Sequence, residues 1–513
     1  MIFSVVARMP QFLKSRVLLK GSTLYASSEL RGDMILESYV GLLRKQGLEG
    51  IKFCSPEDFD NLMLQQGSGD AVPANAVQGQ ALKLLRQAYE AGASDIHISW
   101  LATHGNIRLR RMGMLEETGQ QLGGESAITL IRAIYQSMTE AGSPQFFPTQ
   151  RQEGRIVRRE FLPPTVYSVR VHTEPLECAN GQGVLMTLRL LYDKMQIRGT
   201  LKERLVALGY TENAYSKIEQ LTKRGGLILV AGATGHGKST LLRHVMEAQA
   251  HETPERSFLS IEDPPEYPMQ RVSQVLVGND NEQRGRAYQL AIAGAMRSDP
   301  DVLMIGEVRY PEAAAAALDA ALTGHTVWSS IHAGSALGIV DRLFSLLNAA
   351  NVSDPVDTLC TPGVLAGLVY QRLLPMLCPH CCLNIKDALH DDQGKAKLLV
   401  PVLQRTRRLG VPLHMVRVRG RGCSLCHKTG IKRMVVASEV VITDAPLLGY
   451  FRNRDMCSAM TYWTQKNKGD SLLSQALRLI GEGLLDPWDA ENRLGMSLDD
   501  NGDFVLDQHC SGI

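Results

Sequence analysis

Several features that mark specialised classes of protein are scarce in this sequence of 513 residues. Lys and Arg, 55 in total, nearly balance the 53 Asp and Glu, and the net charge of +2 gives no electrostatic footprint for nucleic acid or an anionic membrane. Aromatic residues make up only 6%, which also argues against a surface on which bases stack. The 10 cysteines are too few for a disulfide scaffold in a chain of this length. We therefore expect an ordinary globular protein and no nucleic-acid partner.

Long apolar runs are also lacking. The longest, at 364–377, falls short of the roughly 20 residues that cross a bilayer, and Gln371 and Arg372 interrupt it. The N-terminal run 1–7 meets Arg8 too early to be the apolar region of a signal peptide. We expect a soluble, cytoplasmic protein.

The hydrophobic patterning predicts an α/β protein of several domains. In the last of them, short apolar strands alternate with helices, which is typical of a parallel sheet covered on both faces. The strands predicted there are 227–231, 257–261, 302–305 and 326–331, and the helices include 238–250 and 311–322. The predicted boundaries are 1–75 for a small N-terminal region with a linker, 76–195 for an α+β domain, 196–202 for a second linker, and 203–513 for the α/β domain, with a cysteine-rich segment at 376–435 and a helical tail at 446–513.

A phosphate-binding loop is the strongest chemical signal. Residues 232–239, Gly-Ala-Thr-Gly-His-Gly-Lys-Ser, fit the pattern GxxxxGK[ST] between a predicted strand and a predicted helix. Glycines let successive backbone N–H groups converge on phosphates, and the helix N-terminus adds partial positive charge. The sequence predicts that Lys238 contacts the phosphates and Ser239 holds Mg²⁺. The candidate nucleotide-binding residues are Gly232, Ala233, Thr234, Gly235, His236, Gly237, Lys238, Ser239 and Thr240.

Carboxylates and histidines follow or flank other predicted strands. Residues 260–266, Ser-Ile-Glu-Asp-Pro-Pro-Glu, end one strand with three carboxylates, and Glu307 follows another. In a protein with a phosphate-binding loop, an acid that follows an apolar strand as Glu307 does lies beside Mg²⁺ and the attacking water. His325 and His332 flank a further short strand. Each of these signals is common by itself, and their order along the chain gives them weight.

Two CxxC pairs predict a metal site. Cys378 and Cys381 form the first pair and Cys423 and Cys426 the second, with the 41 residues of 382–422 between them. Four thiolates at such spacing suit tetrahedral zinc in a structural role, since they leave no open position for chemistry. Three neighbouring residues compete as ligands and leave the set open: Cys382, His380 and His427.

With these motifs in this order, the sequence resembles the secretion ATPases of the type II secretion and type IV pilus assembly family (GspE/PilB-like). The resemblance covers about 82–494 and is densest over 225–382. Its motifs are a Walker A motif at 232–239, an Asp box at 261–266, a Walker B motif at 297–307, a His box at 323–332, Gln371-Arg372-Leu373 before the first CxxC pair, and an N-terminal half marked by 93–97 and 107–110.

The resemblance implies a PAS-like α+β domain followed by a RecA-like P-loop ATPase domain with a zinc-knuckle insertion and a helical C-terminal tail. It implies ATP, Mg²⁺ and Zn²⁺ as cofactors. Glu307 would be the Walker B acid, Glu266 would orient or deprotonate water, and His325 and His332 would sense the γ-phosphate. Five arginines are candidates for contacts with nucleotide within or between subunits: Arg108, Arg110, Arg170, Arg297 and Arg309. For the three arginines on predicted strands, ordinary solvated or paired side chains are the competing interpretation.

The family resemblance also implies a homo-hexamer that works on an inner-membrane platform protein and is held peripherally at the cytoplasmic face of that membrane. Departures from the family pattern, such as Tyr310 in place of an aspartate and Ala293 in place of an arginine, indicate a divergent type IVb or plasmid thin-pilus branch. The tetracysteine favours pilus assembly over retraction. The alternatives are a retraction ATPase, a conjugative DNA-translocation ATPase, and a nucleotide-gated docking scaffold with negligible turnover.

Overall fold

The chain divides into two units, Met1–Met195 and Gln196–Ile513. The structure is a computed structural model, and it describes residues 13, 17–20, 22–44, 48–55, 76–141, 143–178, 181–192, 199–277, 284–391, 393–466 and 471–499. Parts of the predicted linkers, at 56–75 and 196–198, lie outside the described residues, as does the end of the predicted tail at 500–513.

The first unit begins with a small sheet that the sequence analysis did not resolve. Its elements are β1 (Val17–Lys20), β2 (Thr23–Ser27), α1 (Met34–Arg44) and β3 (Gly50–Cys54). Strand β2 pairs antiparallel with β1 and parallel with β3, because α1 carries the chain back to the starting edge. Leu24, Leu36 and Tyr39 are buried between the sheet and the helix. These strands mix polar and apolar residues, whereas the predicted strands 227–231 and 302–305 of the second unit are uninterrupted apolar runs.

A seven-stranded antiparallel sheet forms the rest of the first unit, in the order β6-β5-β4-β10-β9-β8-β7. Ile96, Ile98 and Leu188 alternate along two central strands and pack with Leu85 and Ile131 of the helices. The elements are α2 (Ala76–Glu90), β4 (Asp95–Trp100), β5 (His104–Arg111), β6 (Met114–Gly123), α3 (Gly124–Ala133) with a π-helical turn at Ile134–Met138, β7 (Glu140–Ala141), β8 (Gln152–Ile156), β9 (Val166–Cys178) and β10 (Gly181–Tyr192).

The second unit contains the predicted parallel sheet, in the order β13-β12-β14-β15-β11-β16-β19. All neighbours are parallel except β19, which runs antiparallel to β16. Its strands are β11 (Gly226–Ala231), β12 (Phe258–Glu262), β13 (Ser273–Leu276), β14 (Val302–Ile305), β15 (Thr326–Ile331), β16 (Leu365–Leu377) and β19 (Ile431–Ile442). The helices between them are α4 (Leu201–Leu208), α5 (Glu212–Thr222), α6 (Lys238–Glu252), α7 (Arg284–Met296), α8 (Pro311–Leu322), α9 (Gly338–Ala349) and α10 (Pro355–Leu359). The predicted α/β class, with a mainly parallel sheet in the second unit, is confirmed.

The parallel strands β11, β12, β14 and β15 end at one edge of this sheet, because parallel neighbours share their direction. The segments that follow these strands at that edge are the phosphate-binding loop after β11 and the acidic turn after β12. Glu307 follows β14 and His332 follows β15 at the same edge. Ligands of open α/β sheets bind at this carboxyl edge.

The apolar run at 364–377 contains the whole of the long strand β16, which pairs with β11 on one side and β19 on the other. The segment between β16 and β19 carries the cysteines. Its elements are β17 (Leu383–Asn384), α11 (Ile385–Asp391), α12 (Gln393–Arg408) and β18 (Arg417–Val418). The tail that follows is helical as predicted, with α13 (Ala445–Arg452), α14 (Met456–Lys466), α15 (Leu472–Gly481) and α16 (Pro487–Leu494).

Candidate nucleotide and metal sites

The phosphate-binding loop between β11 and α6 needs glycine for steric reasons. Gly235 and Gly237 have φ angles of 80° and 81°, in the left-handed region that side chains disfavour. At Gly232, a Cβ atom would lie 2.5 Å from the backbone oxygen of Gln371 in β16. The loop therefore lies directly against β16, and its far side, including Thr234 and Ser239, is open to solvent.

Lys238 is the most buried cation of this loop. It is 9% exposed, and its Nζ donates to the backbone oxygens of Gly232 (2.7 Å) and Ala233 (3.4 Å). Burial lowers the pKa of Lys238; the Glu307 carboxylate acts to raise that pKa and Arg309 to lower it. An anion that replaced the two carbonyl oxygens at Lys238 Nζ would be attracted by the charge of this side chain, which water barely screens.

Glu307 lies at the centre of the charged groups. Its Oε2 is 2.7 Å from Nη2 of Arg309, and its Oε1 is 2.8 Å from Nε2 of His332. Oε1 is nonetheless buried without a hydrogen bond from any described residue. A water molecule, or a water bound to Mg²⁺, can donate the hydrogen bond that this oxygen lacks. The residues around Glu307 therefore fit a hydrated Mg²⁺ ion with its phosphate group.

His332 is neutral at physiological pH in this environment. Burial lowers its pKa, Lys238 lowers it further, and the opposing effect of Glu307 is smaller. A neutral imidazole has one N–H donor and one acceptor nitrogen, so His332 is able to donate either to the Glu307 carboxylate or to a phosphate oxygen, but not to both at once.

The acidic turn after β12 holds a second carboxylate that the sequence analysis did not single out. Glu262 accepts hydrogen bonds from Ser260 Oγ (2.8 Å) and Gln274 Nε2 (2.9 Å). Burial raises its pKa, an effect that these two hydrogen bonds oppose and the nearby Glu266 carboxylate reinforces. The predicted Glu266 is half-buried in the same turn. The signal for Glu262 was its position as the last residue of an apolar strand.

Two predicted site residues lie at the opposite, amino edge of the sheet. His325 immediately precedes β15, and its Nδ1 is 3.0 Å from Thr323 Oγ1 and 3.2 Å from the Ala320 oxygen at the end of α8. Arg297 is exposed in the loop before β14. The six residues of β15 separate this edge from His332 by about 20 Å, so neither side chain joins the phosphate-binding loop of its own chain. The predicted γ-phosphate contact of His325 therefore does not form within one chain.

The other arginine candidates lie on one face of the antiparallel sheet in the first unit. Asp95, which is buried, accepts from Arg189 (Nε to Oδ1, 2.8 Å) and lies 4.0 Å from Nε of Arg110. Arg108 is opposite His97 across the β4–β5 pair, and Arg170 is opposite Arg189 across the β9–β10 pair. Burial lowers the pKa of His97, and Arg110 is the largest of the arginine effects in the same direction. The face is thus strongly basic, with Asp95 as its central anchor.

The tetracysteine forms where β16 and β19 meet. Leu377 pairs with Ile431, so the chain ends that carry the two CxxC pairs lie side by side. All four sulfur atoms lie within 4.8 Å of one another, with Sγ–Sγ distances of 3.9 Å for Cys378–Cys423 and 3.7 Å for both Cys381–Cys426 and Cys423–Cys426. Four sulfurs at about 2.3 Å from a tetrahedral zinc are about 3.8 Å apart. The cluster fits zinc.

This geometry selects the four CxxC cysteines from the candidate metal ligands that the sequence left open. Among the described His, Cys, Asp and Glu residues, only the four cysteines of the two CxxC pairs make up this group. Cys382 instead points its Sγ at the Pro379 oxygen, 3.8 Å away. Burial acts to raise the pKa of Cys426, but hydrogen bonds from the backbone N–H groups of Cys423 and Gly430 and from the Cys381 and Cys423 side chains together lower that pKa to about 6. Hydrogen bonds of this kind favour the thiolate that a metal requires.

Comparisons with known proteins agree with this architecture. A putative type II secretion system protein E of Escherichia coli (strain K12) is 30% identical over 78% of this chain and 73% of its own length. The type IV pilus assembly ATPase PilB of Thermus thermophilus is 28% identical over 72% of this chain and 38% of its own length. A sequence profile of the family described as "Type II/IV secretion system protein" matches residues 73–492.

The chain belongs to this family. It is a secretion-system ATPase, an ATP hydrolase. Its fold is shared with the X-ray structure of the Legionella pneumophila ATPase DotB, at a TM-score of 0.55 and 20% identity over 83% of this chain and 97% of the other. No described helix combines the length and the apolar character that a bilayer crossing requires.

Proposed function

We propose that this secretion ATPase is a hexameric motor that hydrolyses ATP to drive pilin assembly, in type IV pilus biogenesis or in the related step of type II-like secretion. The observation that carries the proposal is the presence, in one folded unit, of a phosphate-binding loop with its carboxylate and of a tetracysteine cluster. Retraction motors that resemble this core usually lack the cysteine pairs. The likeness to a protein described as a pilus assembly ATPase supports the same choice.

In the proposed site, binding and turnover belong to different residues. Lys238 would exchange its two carbonyl contacts for phosphate oxygens, and Ser239, exposed at the start of α6, would hold Mg²⁺. The metal, when bound, neutralises the charge that develops on the transferred phosphoryl group. Glu307 would accept a hydrogen bond from the attacking water through its unsatisfied Oε1, and neutral His332 would donate towards the γ-phosphate.

Two further groups would act on the same water or phosphate. Glu266 is the proposed group that orients or deprotonates water, and Glu262, with its raised pKa, is a second candidate in the same turn. Arg309, paired with Glu307 and still 61% exposed, would shift towards the charge that develops on the phosphate. Arg297 lies at the amino edge, so a nucleotide contact from this residue would be made in a neighbouring subunit.

The proposed partners are other copies of this chain and an inner-membrane platform protein. Contacts with that platform would hold the motor peripherally at the cytoplasmic face of the membrane. No nucleic acid takes part in the proposal, because the net charge of +2 provides no attraction for a polyanion.

Deleting the gene in its source organism and counting surface pili tests the proposal. An assembly motor is required for every pilus, so the deletion strain should have none, and the parental protein should restore them. Glu307→Gln should fail to restore them, whereas Glu219→Gln, which changes a partly exposed glutamate of α5 that pairs with Lys223, should succeed. A deletion strain with an excess of pili would instead identify a retraction motor and refute the proposal.

A further inference from the structure

Strand β16 continues past the end of its neighbour β11. The last pair between them is Ala231 with Tyr370, whereas β16 extends to Leu377. At Ala231 the chain turns away into the phosphate-binding loop, so the loop takes the place of β11 beside the next residues of β16. Backbone groups on that side of β16 then need other partners.

His236 of the loop supplies one of these partners. The backbone N–H of Leu373 donates to Nδ1 of His236 at 3.0 Å, and Gln371 Nε2 donates to the backbone oxygen of His236 at 2.7 Å. His236 is thus held at both its side chain and its main chain. Burial lowers its pKa to about 4, with Arg372 adding to the effect, so Nδ1 stays unprotonated and remains an acceptor at neutral pH.

Tyr210 completes the arrangement from the other side. Its hydroxyl donates to Gln371 Oε1 at 2.6 Å, and both side chains are buried, with Gln371 at 0% exposure and Tyr210 at 4%. Burial raises the pKa of Tyr210, so the hydroxyl keeps its proton and remains a donor. Both polar ends of the Gln371 amide are occupied, which leaves that side chain a single orientation.

We propose that Tyr210, Gln371 and His236 are positioning residues that hold the phosphate-binding loop against β16 in its nucleotide-accepting conformation. We call these three residues the loop clamp. The inference rests on the proposed binding of nucleotide by this loop. Binding is tightest when the loop needs no reordering. Gly232 and Gly237 lie beside Gln371, since a Cβ atom would be 2.5 Å and 3.2 Å from it, respectively, and neither glycine has a side chain to hold it in place.

The clamp acts on binding and not on the chemical step. The described hydrogen bonds of the Tyr210, Gln371 and His236 side chains join these three residues to one another and to β16, and none of them involves the Glu307 carboxylate. Loss of an interaction that serves the ground state and the transition state equally raises KM and leaves kcat unchanged. A merely structural role would lower thermal stability without moving KM.

Affinity for fluorescent ADP, together with KM and kcat for ATP, tests the clamp in the full-length protein. His236→Leu leaves the Leu373 N–H without an acceptor and should weaken ADP binding and raise KM about tenfold, with kcat within about twofold. His236→Asn should bring ADP affinity and KM back to within about threefold of the parental values, since the side-chain oxygen of Asn lies close to the position of Nδ1. Tyr210→Phe removes only the outer hydroxyl and should weaken binding by a few fold.

Gln475→Leu is the matched control. Gln475 is equally buried, at 4% exposure, and it holds α15 to Ser438 of β19 by two hydrogen bonds with the backbone. This variant should melt at a lower temperature than the parent and bind ADP equally well.

The clamp is refuted if His236→Leu and Tyr210→Phe both bind ADP within twofold of the parent. Should His236→Leu fail to fold, Tyr210→Phe and His236→Asn decide the matter by the same measurement. A parental protein that binds no nucleotide would refute the proposed function itself, which is a distinguishable result.

Discussion

Glu307 and Lys238 face the same space but serve different steps of the proposed reaction. Lys238 is buried, and its ammonium group is satisfied by two loop carbonyls. Glu307 has one oxygen held by Arg309 and one buried oxygen without a hydrogen bond from the described residues. Binding should therefore depend on the lysine and turnover on the carboxylate.

We expect Lys238→Ala to weaken nucleotide binding by at least about tenfold, because it removes charge-assisted hydrogen bonds to phosphate. Glu307→Gln keeps the volume of the side chain but loses its charge, so binding should persist while turnover falls about a hundredfold. Phosphate release and ADP affinity measure the two effects. Hydrolysis by Glu307→Gln at the parental rate would show that another group positions the water.

Glu439 in β19 is a carboxyl group whose ionisation opposes folding. Its Oε1 accepts the backbone N–H of Leu472 at 3.4 Å, and burial raises its pKa to about 7, although backbone N–H groups of Leu472 and Ala336 act to lower it. The unfolded chain loses this proton near pH 4.5, so the stability due to protonated Glu439 is fully present below that pH. It declines as the pH rises through about 7.

Glu439→Gln should therefore be more stable than the parent at pH 8, by a few kcal/mol at most, and nearly equal to it at pH 4.5. Thermal melts at the two pH values measure the difference. Glu482→Gln, at the end of α15, is the control and should leave the pH dependence unchanged. An unaltered pH profile for Glu439→Gln would contradict the raised pKa.

At the scale of elements, the β16–β19 pair joins the proposed nucleotide site to the cysteine-bearing segment. The phosphate-binding loop lies against β16 near Gln371, and the same strand ends one residue before Cys378. The two CxxC pairs hold the ends of β16 and β19 together when a metal links their sulfurs.

The purified protein should carry about one zinc per chain, which elemental analysis measures. Cys378→Ser removes one of the four sulfurs and should lose the metal, whereas Cys382→Ser, beside the cluster but outside it, should retain it. Chelation should unfold 376–435 locally and leave ADP binding intact, because the loop lies on the sheet and not in this segment. Protein prepared without chelator and free of zinc would contradict the assignment.

At the scale of the whole molecule, the basic face of the first unit gathers several arginines around one buried carboxylate, Asp95. Arg170 and Arg189 are directly opposite each other, and like charges in that position are unfavourable. A face with this excess of positive charge attracts an anion. The developing charge of a phosphoryl group, in the same chain or a neighbouring one, is the anion we propose.

Alanine substitutions test this coupling one arginine at a time, at Arg108, Arg110 and Arg170. At least one variant should lose turnover by about tenfold or more at saturating ATP, because it removes a charge that stabilises the phosphoryl group during transfer, while it binds ADP and keeps the mass of a hexamer. Arg132→Ala, on an exposed turn of α3, should behave as the parent. Parental turnover rates for all three arginine variants would refute the proposal.

Much of the second unit could be predicted from local patterns. The fully apolar strand β11, the glycines after it and the helix that begins at Lys238 lie within 27 consecutive residues, and the physical requirements of a phosphate cradle are met over that short range. The strands β14 and β15 and the helix α8 were predicted to the residue for the same reason.

The sequence by itself therefore determined the parallel sheet, the phosphate-binding loop and the four cysteines, because neighbouring residues carry these signals. Only the tertiary structure decided that Glu262 is half-buried with Ser260 and Gln274 as hydrogen-bond donors, that His325 and His332 lie at opposite edges of the sheet, and that His236 is bound to β16. Each of these depends on which strands pair and on where a strand ends beside its neighbour. Residues more than a hundred positions apart, such as His236 and Leu373, meet only through that long-range pairing, and no local pattern records it.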